Sequence, residues 1–262
     1  MRLTFLGTGT SYGVPMIGCD CPVCRSDDPR DRRTRASALV KAPAGNILID
    51  TATDLREQAL RNNVTRVDAI LFTHSHADHL HGIDDVRRFS GMRRKAIPAY
   101  GDAETLAYIA RSHGYIFSDP EFRLGWGIPR IEINEIAEPT PICGATVIPV
   151  PILHGERTIL GYRIGGLAYL TDCSAVPEAS AVLLRGLDTL VLDALRRRPH
   201  PTHFSLSEAV DVIERLKPRR AYLTHMAHDL GHAATEAVLP DHIRLAYDGL
   251  EIEMPDSSGM RE

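Results

Sequence analysis

The sequence lacks the features of a membrane-bound or exported protein. Its 262 residues contain no run of 18 consecutive apolar residues, which is about the length that a membrane-spanning helix requires. Residues 2–6 alternate polar and apolar side chains as a strand does, instead of forming the apolar segment of a signal peptide. We therefore expect a cytoplasmic protein that has no membrane partner.

The charge balance also argues against a large nucleic acid as a partner. The formal net charge of −4 gives no electrostatic reason to expect a large nucleic acid, whose backbone attracts clustered Lys and Arg. The apolar content of 44% allows a substantial hydrophobic core. The length suits one large domain or two small ones.

Cysteines are few and do not form a disulfide framework. Their total of five is odd, and Cys19, Cys21 and Cys24 lie too close together for ordinary pairing. Closely spaced thiols in a reducing compartment usually bind a metal, although reduced, metal-free thiols are the alternative. Cys143 and Cys173 stand alone, and we expect both to be small core residues.

The glycine-rich segment 7–11 is not a cofactor loop. It lacks the third glycine and the following helix of a dinucleotide-binding fingerprint. We expect a tight turn close to the active site instead.

The sequence does contain a dense group of potential metal ligands in residues 73–79, Thr-His-Ser-His-Ala-Asp-His. The apolar run directly before it predicts a short buried strand. Extended backbone would point His74 and His76 the same way, whereas Asp78 and His79 lie beyond a turn and could face a second point. Imidazole and carboxylate ligands suit zinc, iron or manganese. A solvated histidine-rich loop is the alternative.

Several predicted strands end on a histidine or an aspartate, namely at His74, His154, Asp172, Asp193 and His225. Five such endings indicate one edge of a sheet core where ligands from distant parts of the sequence converge. Strands with interspersed helices in two successive halves indicate two sheets packed face to face, with helices outside.

Two predicted helices have candidate N-caps. Residues 54–62 have helical spacing of apolar side chains, with Asp54 placed as the cap. Residues 206–216 are amphipathic, with Ser205 or Ser207 as the cap.

Two further segments are expected to lie outside the regular core. Residues 25–35 are charged and predict an exposed excursion. Residues 114–142 are rich in glycine, proline and aromatic side chains, which predicts irregular structure or a lid.

The sequence resembles those of metallo-β-lactamase-fold hydrolases in the order of its candidate ligands. An HxHxDH motif comes first, and a lone histidine, an aspartate at a strand end and a late histidine follow it. The residues that carry the resemblance are His74, His76, Asp78, His79, His154, Asp172 and His225. Because it covers almost the whole chain, the resemblance implies one domain over residues 1–262 with an α/β fold, a four-layer αββα sandwich. The Cys-x-Cys-x-x-Cys segment, residues 224–228 (Thr-His-Met-Ala-His) and a histidine-bearing loop before the last large helix are similar to the cyclic phosphodiesterases of the bacterial phosphonate-degradation (carbon–phosphorus lyase) pathway.

The resemblance implies two catalytic divalent metals, Mn²⁺ or Zn²⁺, that activate water for attack on phosphorus. The first metal would be held by His74, His76 and His154. The second would be held by Asp78, His79 and His225, and Asp172 would bridge the two metals. Asp78, as a ligand of the second metal, is the residue whose loss should tell most about the mechanism.

A third metal follows from the same resemblance. It implies a closed structural zinc site made of Cys19, Cys21, Cys24 and His228, and four soft or borderline ligands without an open position are typical of such sites.

A general acid has to protonate the leaving alkoxide, and histidine is suited to that task near neutral pH. His203 matches the family's loop histidine better than His200, which lies in a proline-flanked arginine run. Asp193 could support a ligand imidazole through a hydrogen bond.

The arginines closest to the histidine motif have two interpretations. They could pair with the phosphate of a substrate, or they could form a solvated helix face. These residues are Arg87, Arg88, Arg93 and Arg94.

We therefore predict a dinuclear phosphodiesterase that acts on small cyclic or simple diesters, of the ribose cyclic phosphate or 2′,3′-cyclic nucleotide type. The expected partner is a small, nucleotide-like substrate, and a homodimer is left open. Alternatives are a tRNA 3′-processing endonuclease, a thioester or lactone hydrolase, and a metal-binding scaffold without activity. The endonuclease normally needs a basic, glycine-rich arm, and the sequence has no such insertion. The scaffold is disfavoured because Asp78 and Asp172 are both present.

Overall fold

Two mixed β-sheets form the centre of the molecule in a computed structural model that describes residues 1–117 and 127–254. The first sheet contains, in spatial order, β14 (Glu251–Glu253), β1 (Arg2–Gly7), β2 (Ser37–Ala42), β3 (Gly45–Ile49), β4 (Ala69–Leu71), β5 (Ile97–Gly101) and β6 (Ile131–Glu135). The second contains β13 (Ile243–Leu245), β12 (Arg220–Thr224), β11 (Thr189–Asp193), β10 (Leu167–Leu170), β9 (Arg157–Ile164), β8 (Ala145–His154) and β7 (Thr140–Ile142).

Helices pack against the outer faces of both sheets. The α-helices of the described residues are α1 (Leu55–Arg61), α2 (Ala77–Leu80), α3 (Val86–Arg93), α4 (Ala103–Ser112), α5 (Glu178–Leu183), α6 (Leu206–Leu216) and α7 (His232–Glu236). Short 3₁₀ turns cover Pro29–Asp31, Ile83–Asp85 and Gly114–Phe117. Apolar side chains of α1 to α4 pack on the first sheet, and those of α5 and α6 pack on the second.

A third apolar layer lies between the two sheets and includes Phe5, Tyr162 and Val191. The fold is therefore the predicted αββα sandwich. The hydroxyl of Tyr162 donates to the carbonyl of Phe72 over 2.6 Å, so it crosses between the sheets where β4 has just ended. The amide of Leu160 likewise donates to the carbonyl of Thr73 over 3.1 Å.

The strand directions bring the candidate site residues to one edge. In the first sheet β3, β4, β5 and β6 are parallel, and in the second β10, β11, β12 and β13 are parallel. The carboxyl ends of parallel strands meet at the same edge of a sheet, which is where ligands usually bind in such folds. The end of β1 is joined there to the segment after β12, because Met226 N donates to Thr8 O and Thr10 N donates to Met226 O.

One of the two predicted caps is confirmed and one is wrong. Ser205 forms a capping box with Glu208 at the start of α6. Asp54 precedes α1 but forms no capping hydrogen bond. Its carboxylate instead accepts from the amide of Arg35 at 2.9 Å and from the guanidinium of the same residue at 3.0 Å. An ion pair with a distant residue therefore replaces the local cap.

The excursion at residues 25–35 is not wholly exposed. Arg33 is only 1% exposed. Its guanidinium donates to the carboxylate of Asp31 and to the main-chain carbonyls of Ala227 and Leu230, which ties the excursion to the segment after β12. The buried charge is thus fully engaged in hydrogen bonds, as burial requires.

Two other expectations need correction. Cys173 is buried as predicted, whereas Cys143 is only half-buried, because it lies in the turn between β7 and β8 with a left-handed φ of 50°. The segment 114–142 is not irregular throughout, since it includes β6, β7 and a 3₁₀ turn. The part of the predicted lid at residues 118–126, with Trp126, lies outside the described residues.

Candidate functional site

Strand ends from both sheets converge on one buried cluster of histidines and aspartates. The loop after β4 carries His74 and His76, and the first turn of α2 carries Asp78 and His79. The ends of β8, β10 and β12 bring His154, Asp172 and His225. Asp172 and His225 have left-handed φ values of 55° and 59°, a conformation that is uncommon for non-glycine residues and recurs at functional sites.

Asp172 belongs to three groups whose candidate ligand atoms all lie within 4.8 Å of one another, and two of them contain residues of the histidine motif. One group is Asp78, His79, Asp172 and His225, and the other is His74, His76 and Asp172. Asp172 Oδ2 is 3.0 Å from His79 Nε2, and its Oδ1 is 3.3 Å from His225 Nε2 and 3.9 Å from His74 Nε2. One carboxylate thus faces both groups.

His154 completes the side of the cluster formed by His74 and His76. Its ring centroid is 5.1 Å from that of His76 and 5.6 Å from that of His74. His154 Nδ1 donates to the main-chain carbonyl of Asp172 over 2.9 Å, which leaves Nε2 as the free ligand nitrogen.

Buried imidazole nitrogens in this cluster have no hydrogen-bond partner within residues 1–117 and 127–254. They are Nε2 of His74 and His79 and both ring nitrogens of His225. An unmade hydrogen bond at a buried polar atom costs about 1–3 kcal/mol, so such atoms call for a ligand. Imidazole nitrogens and carboxylate oxygens that surround one point are typical ligands of a divalent metal ion. The residues of the buried cluster fit two such ions.

The electrostatics of the cluster favour cation binding. Burial lowers the pKa of His74 well below its usual value, which keeps its imidazole neutral and able to bind a metal. Burial alone would raise the pKa of Asp78, but the neighbouring His79 and His225 outweigh it and hold that pKa low. Asp78 therefore remains a carboxylate.

Asp50, at the end of β3, is a further candidate residue of the site that the sequence did not suggest. His79 Nδ1 donates to its Oδ2 over 2.8 Å, and both the amide and the hydroxyl of Thr73 donate to the same carboxylate over 2.8 Å. Burial raises the pKa of Asp50, and these donors oppose that shift. It orients the His79 ring and could have been found, because it ends a strand as Asp172 and Asp193 do.

Asp193 connects the loop histidine to the cluster. Its Oδ2 is 3.0 Å from His203 Nδ1, and its Oδ1 is 3.6 Å from His225 Nδ1. The rings of His203 and His225 are stacked with their centroids 4.9 Å apart. His200 lies farther from the cluster, with its ring 5.1 Å from that of His203 and its Nδ1 next to Thr202.

The predicted cysteine cluster also comes together. Its sulfur atoms surround His228 Nδ1 at 3.1 Å for Cys19, 3.4 Å for Cys21 and 3.5 Å for Cys24. The amide of Cys24 donates to the sulfur of Cys21, and the amide of Met16 donates to that of Cys24. Amide donors stabilise thiolates, so three thiols and one imidazole around a point fit a closed zinc site.

Two of the four arginines that follow the histidine motif form ion pairs away from the buried cluster. Arg87 forms an ion pair with Asp84, and Arg93 pairs with Asp68 over 2.8 Å. Arg87 and Arg88 line a surface groove between α1 and α3 that contains none of the cluster residues. The helix-face interpretation therefore fits better than substrate contact.

The fold and the clusters are next compared with those of known proteins. The family described as "Beta-lactamase superfamily domain" matches residues 45–226, which include every residue of the buried histidine–aspartate cluster, and the chain belongs to this superfamily. A crystal structure of a new diphosphatase from the PhnP family is 47% identical, with a TM-score of 0.90 over 97% of this chain and 98% of that chain. The chain is therefore a member of the PhnP family within the superfamily.

Two curated relatives have other names. An octanoyltransferase of Porphyromonas gingivalis is 38% identical over 266 residues, which cover 100% of this chain but only 53% of that protein. The chain thus spans about half the length of this relative. A ribonuclease Z of Myxococcus xanthus is 25% identical over 321 residues, which cover 97% of this chain and 98% of that enzyme.

No helix within residues 1–117 and 127–254 combines the length and the apolar character needed to cross a bilayer.

Proposed function

We propose that the protein is a dinuclear metal phosphodiesterase that hydrolyses small cyclic or simple phosphodiesters, of the ribose cyclic phosphate or 2′,3′-cyclic nucleotide type. The observation that carries the proposal is the position of Asp172, which faces both groups of candidate ligands and can bridge two cations. The likeness to a PhnP-family diphosphatase supports chemistry at phosphorus.

The metal content that we propose is two catalytic Mn²⁺ or Zn²⁺ ions in the buried cluster and one structural Zn²⁺ in the cysteine cluster. When bound, the catalytic ions would supply Lewis-acid activation of water and neutralise charge on the phosphoryl oxygens. Elemental analysis of the purified protein should find about three metal ions per chain, whereas two or fewer would contradict this assignment.

His203 is the proposed general acid. Asp193 accepts from its Nδ1 at 3.0 Å, so the ring is fixed and Nε2 is the atom left to carry a proton to the leaving alkoxide. His203 also shares a group with Asp172 and His154, which puts it beside both halves of the cluster. His200 has no comparable carboxylate partner in the part of the chain that the structure describes.

The first experiment measures hydrolysis of bis(p-nitrophenyl) phosphate by protein loaded with Mn²⁺ or Zn²⁺. We expect turnover by the wild type and none by Asp78→Ala, because Asp78 lies between His79 and His225. Asp85→Ala is the matched control, since Asp85 is half-buried and lies outside the cluster. Absence of turnover with both metals would contradict the proposal. A screen with S-lactoylglutathione and an acyl-homoserine lactone would then test the thioester and lactone alternatives.

A second measurement separates His203 from His200. Loss of a general acid slows esters with poor leaving groups most, because a good leaving group departs without a proton. We expect His203→Ala to slow an alkyl diester by about a hundredfold or more, a typical contribution of acid catalysis, and to slow the p-nitrophenyl diester much less. His200→Ala should leave both rates close to those of the wild type, and the reverse pattern would transfer the role to His200.

A tRNA 3′-processing endonuclease is the second candidate, because of the likeness to ribonuclease Z. The net charge of −4 argues against it, since binding to a phosphate backbone relies on clustered positive charge. Salt-dependent binding and 3′ cleavage of a precursor tRNA would favour this candidate over the small-diester enzyme.

A further inference from the structure

The groove between α1 and α3 lies outside the buried cluster and has no role in the proposed hydrolysis. Its volume is about 690 Å³, within the roughly 300–1,000 Å³ that is typical of small-molecule sites. Leu55 and Phe89, which are buried, contribute to its floor. Two large apolar side chains on its walls are exposed, Leu60 to 59% and Met92 to 46%. Contiguous exposed apolar surface of this kind often marks a binding site.

The direction of the two helices determines how the groove is lined along its length. β3 and β4 are parallel, α1 follows β3, and α3 follows β4, so both helices begin near the carboxyl edge of the sheet and run away from it. At the far end, Arg93 Nη1 donates to the carbonyl of Val67, shortly before β4 begins, over 2.8 Å. Position along each helix is therefore also position along the groove.

The end of the groove at the carboxyl edge is cationic. Arg56 and Arg88 line it from the first turns of α1 and α3. Neither arginine forms an ion pair in the part of the chain that the structure describes, whereas Arg87 is neutralised by Asp84. Asp85 is the one carboxylate among the described residues of the lining, so the two unpaired guanidinium groups outnumber it.

The far end of the groove is apolar. Leu60 follows Arg56 by four residues on α1, and Met92 follows Arg88 by four residues on α3. Residues four apart lie on the same face of a helix, one turn or about 5–6 Å further along. Each wall of the groove therefore changes from a guanidinium to an apolar side chain over the same short distance.

We propose that this groove is a binding site for a small amphipathic anion, a soluble carboxylate with a single apolar chain. The carboxylate would pair with Arg56 and Arg88, because guanidinium groups match carboxylate oxygens with paired donors. The chain would lie over Phe89 and extend between Leu60 and Met92. The charge at one end and the apolar surface at the other thus complement the two halves of one ligand. The inference does not depend on the proposed phosphodiesterase function.

The test is titration calorimetry of the metal-loaded protein with decanoate, at concentrations at which decanoate forms no micelles. We expect saturable binding of one decanoate per chain. Decyltrimethylammonium has the same chain and the opposite charge, and it should not bind. From hexanoate to decanoate the affinity should rise about fourfold for each added methylene that the groove buries.

Two variants test the two ends of the groove separately. Arg88→Gln should weaken decanoate binding about tenfold, the effect of losing a hydrogen bond between charged groups. Leu60→Gln should reduce the gain in affinity for each added methylene. Both side chains are exposed, so both variants should fold, and an unchanged Tm verifies this.

Arg215→Gln is the matched control, because it removes the same charge from an exposed position on α6 and should keep the wild-type affinity. Equal binding of decanoate and the cation, equal affinities of Arg88→Gln and the wild type, or no saturable binding would overturn the anion site. If decanoate did not bind and sedimentation showed a dimer that Leu60→Gln dissociates, the groove would belong to a second copy of the chain instead. Hydrolysis of bis(p-nitrophenyl) phosphate is measured separately, so failure here would leave the proposed function unaffected.

Discussion

The two candidate metal centres are built in opposite ways. The buried cluster draws its residues from strand ends of both sheets, contains carboxylates and imidazoles, and adjoins a cavity through His203. The cysteine cluster takes three residues from one short loop and one from the segment after β12, and is only partly buried. An open site with hard and borderline ligands suits catalysis, whereas a closed site with soft ligands suits structure. Substitutions in the buried cluster should therefore reduce activity, whereas substitutions in the cysteine cluster should reduce stability.

After the complete loss expected of Asp78→Ala, the largest effect is expected from Asp172→Asn. It removes the negative charge that faces both halves of the buried cluster, so phosphodiester turnover should fall by about a hundredfold to a thousandfold. Elemental analysis should show fewer metal ions in the buried cluster, with the zinc of the cysteine cluster retained. Asp211→Asn, on the exposed face of α6, is the control and should behave as wild type. If Asp172→Asn kept full activity, Asp172 would not act as the bridge between the two catalytic metals.

The next largest effect should come from Cys24→Ser, which acts on stability. Structural zinc sites contribute folding free energy directly, so we expect a loss of about 3 kcal/mol or more and a Tm lower by roughly 10 °C. One metal ion per chain should be lost, while kcat of the remaining folded protein stays close to the wild-type value. Cys143→Ser is matched in chemistry and lies outside the cluster. An unchanged Tm for Cys24→Ser would contradict a structural role.

Asp50→Asn should weaken metal binding without unfolding the protein. Asp50 orients the His79 ring, and loss of such a partner typically lowers metal affinity by about 10- to 100-fold. Competition with a chelator measures this affinity for each centre, and the cysteine cluster should be unaffected. Asp54→Asn, which touches Arg35 and not the cluster, should leave both affinities unchanged. Weaker binding at both centres would mean that the two are not independent.

The smallest effect is expected from Ser205→Ala, which affects neither centre directly. Loss of the capping box should cost about 1 kcal/mol and lower Tm by roughly 2–4 °C. Metal content should not change at either centre. Ser207→Ala, two residues further along and exposed, should shift Tm by much less. A loss of metal from Ser205→Ala would show that α6 supports the buried cluster more closely than the contacts indicate.

The fold and the convergence of strand ends could be predicted because both depend on local patterns. Short apolar strands that end on His or Asp have a clear signature, and the spacing in residues 73–79 is specific. The capping box at Ser205 is equally local, since its two partners are three residues apart. The ligand roles of the clustered residues remain predictions.

Features set by tertiary contacts could not be predicted in this way. Asp54 pairs with Arg35 instead of capping α1, and the charged excursion buries Arg33 against carbonyls about 200 residues away, as the separations of 194 and 197 residues indicate. Arg87 and Arg93 look available in sequence, but carboxylates on neighbouring elements already neutralise them. Which charges are free depends on partners that only the folded chain brings close.

The cysteine cluster joins residues made at very different times. Cys24 and His228 are separated by 204 positions in the chain. At about 5–20 residues per second, a ribosome needs roughly 10 to 40 s to add those residues. The three thiols therefore exist for that time before their fourth partner is made. The newborn protein can complete this centre only after His228 has been added, and until then its thiols are open to oxidants and to competing metals.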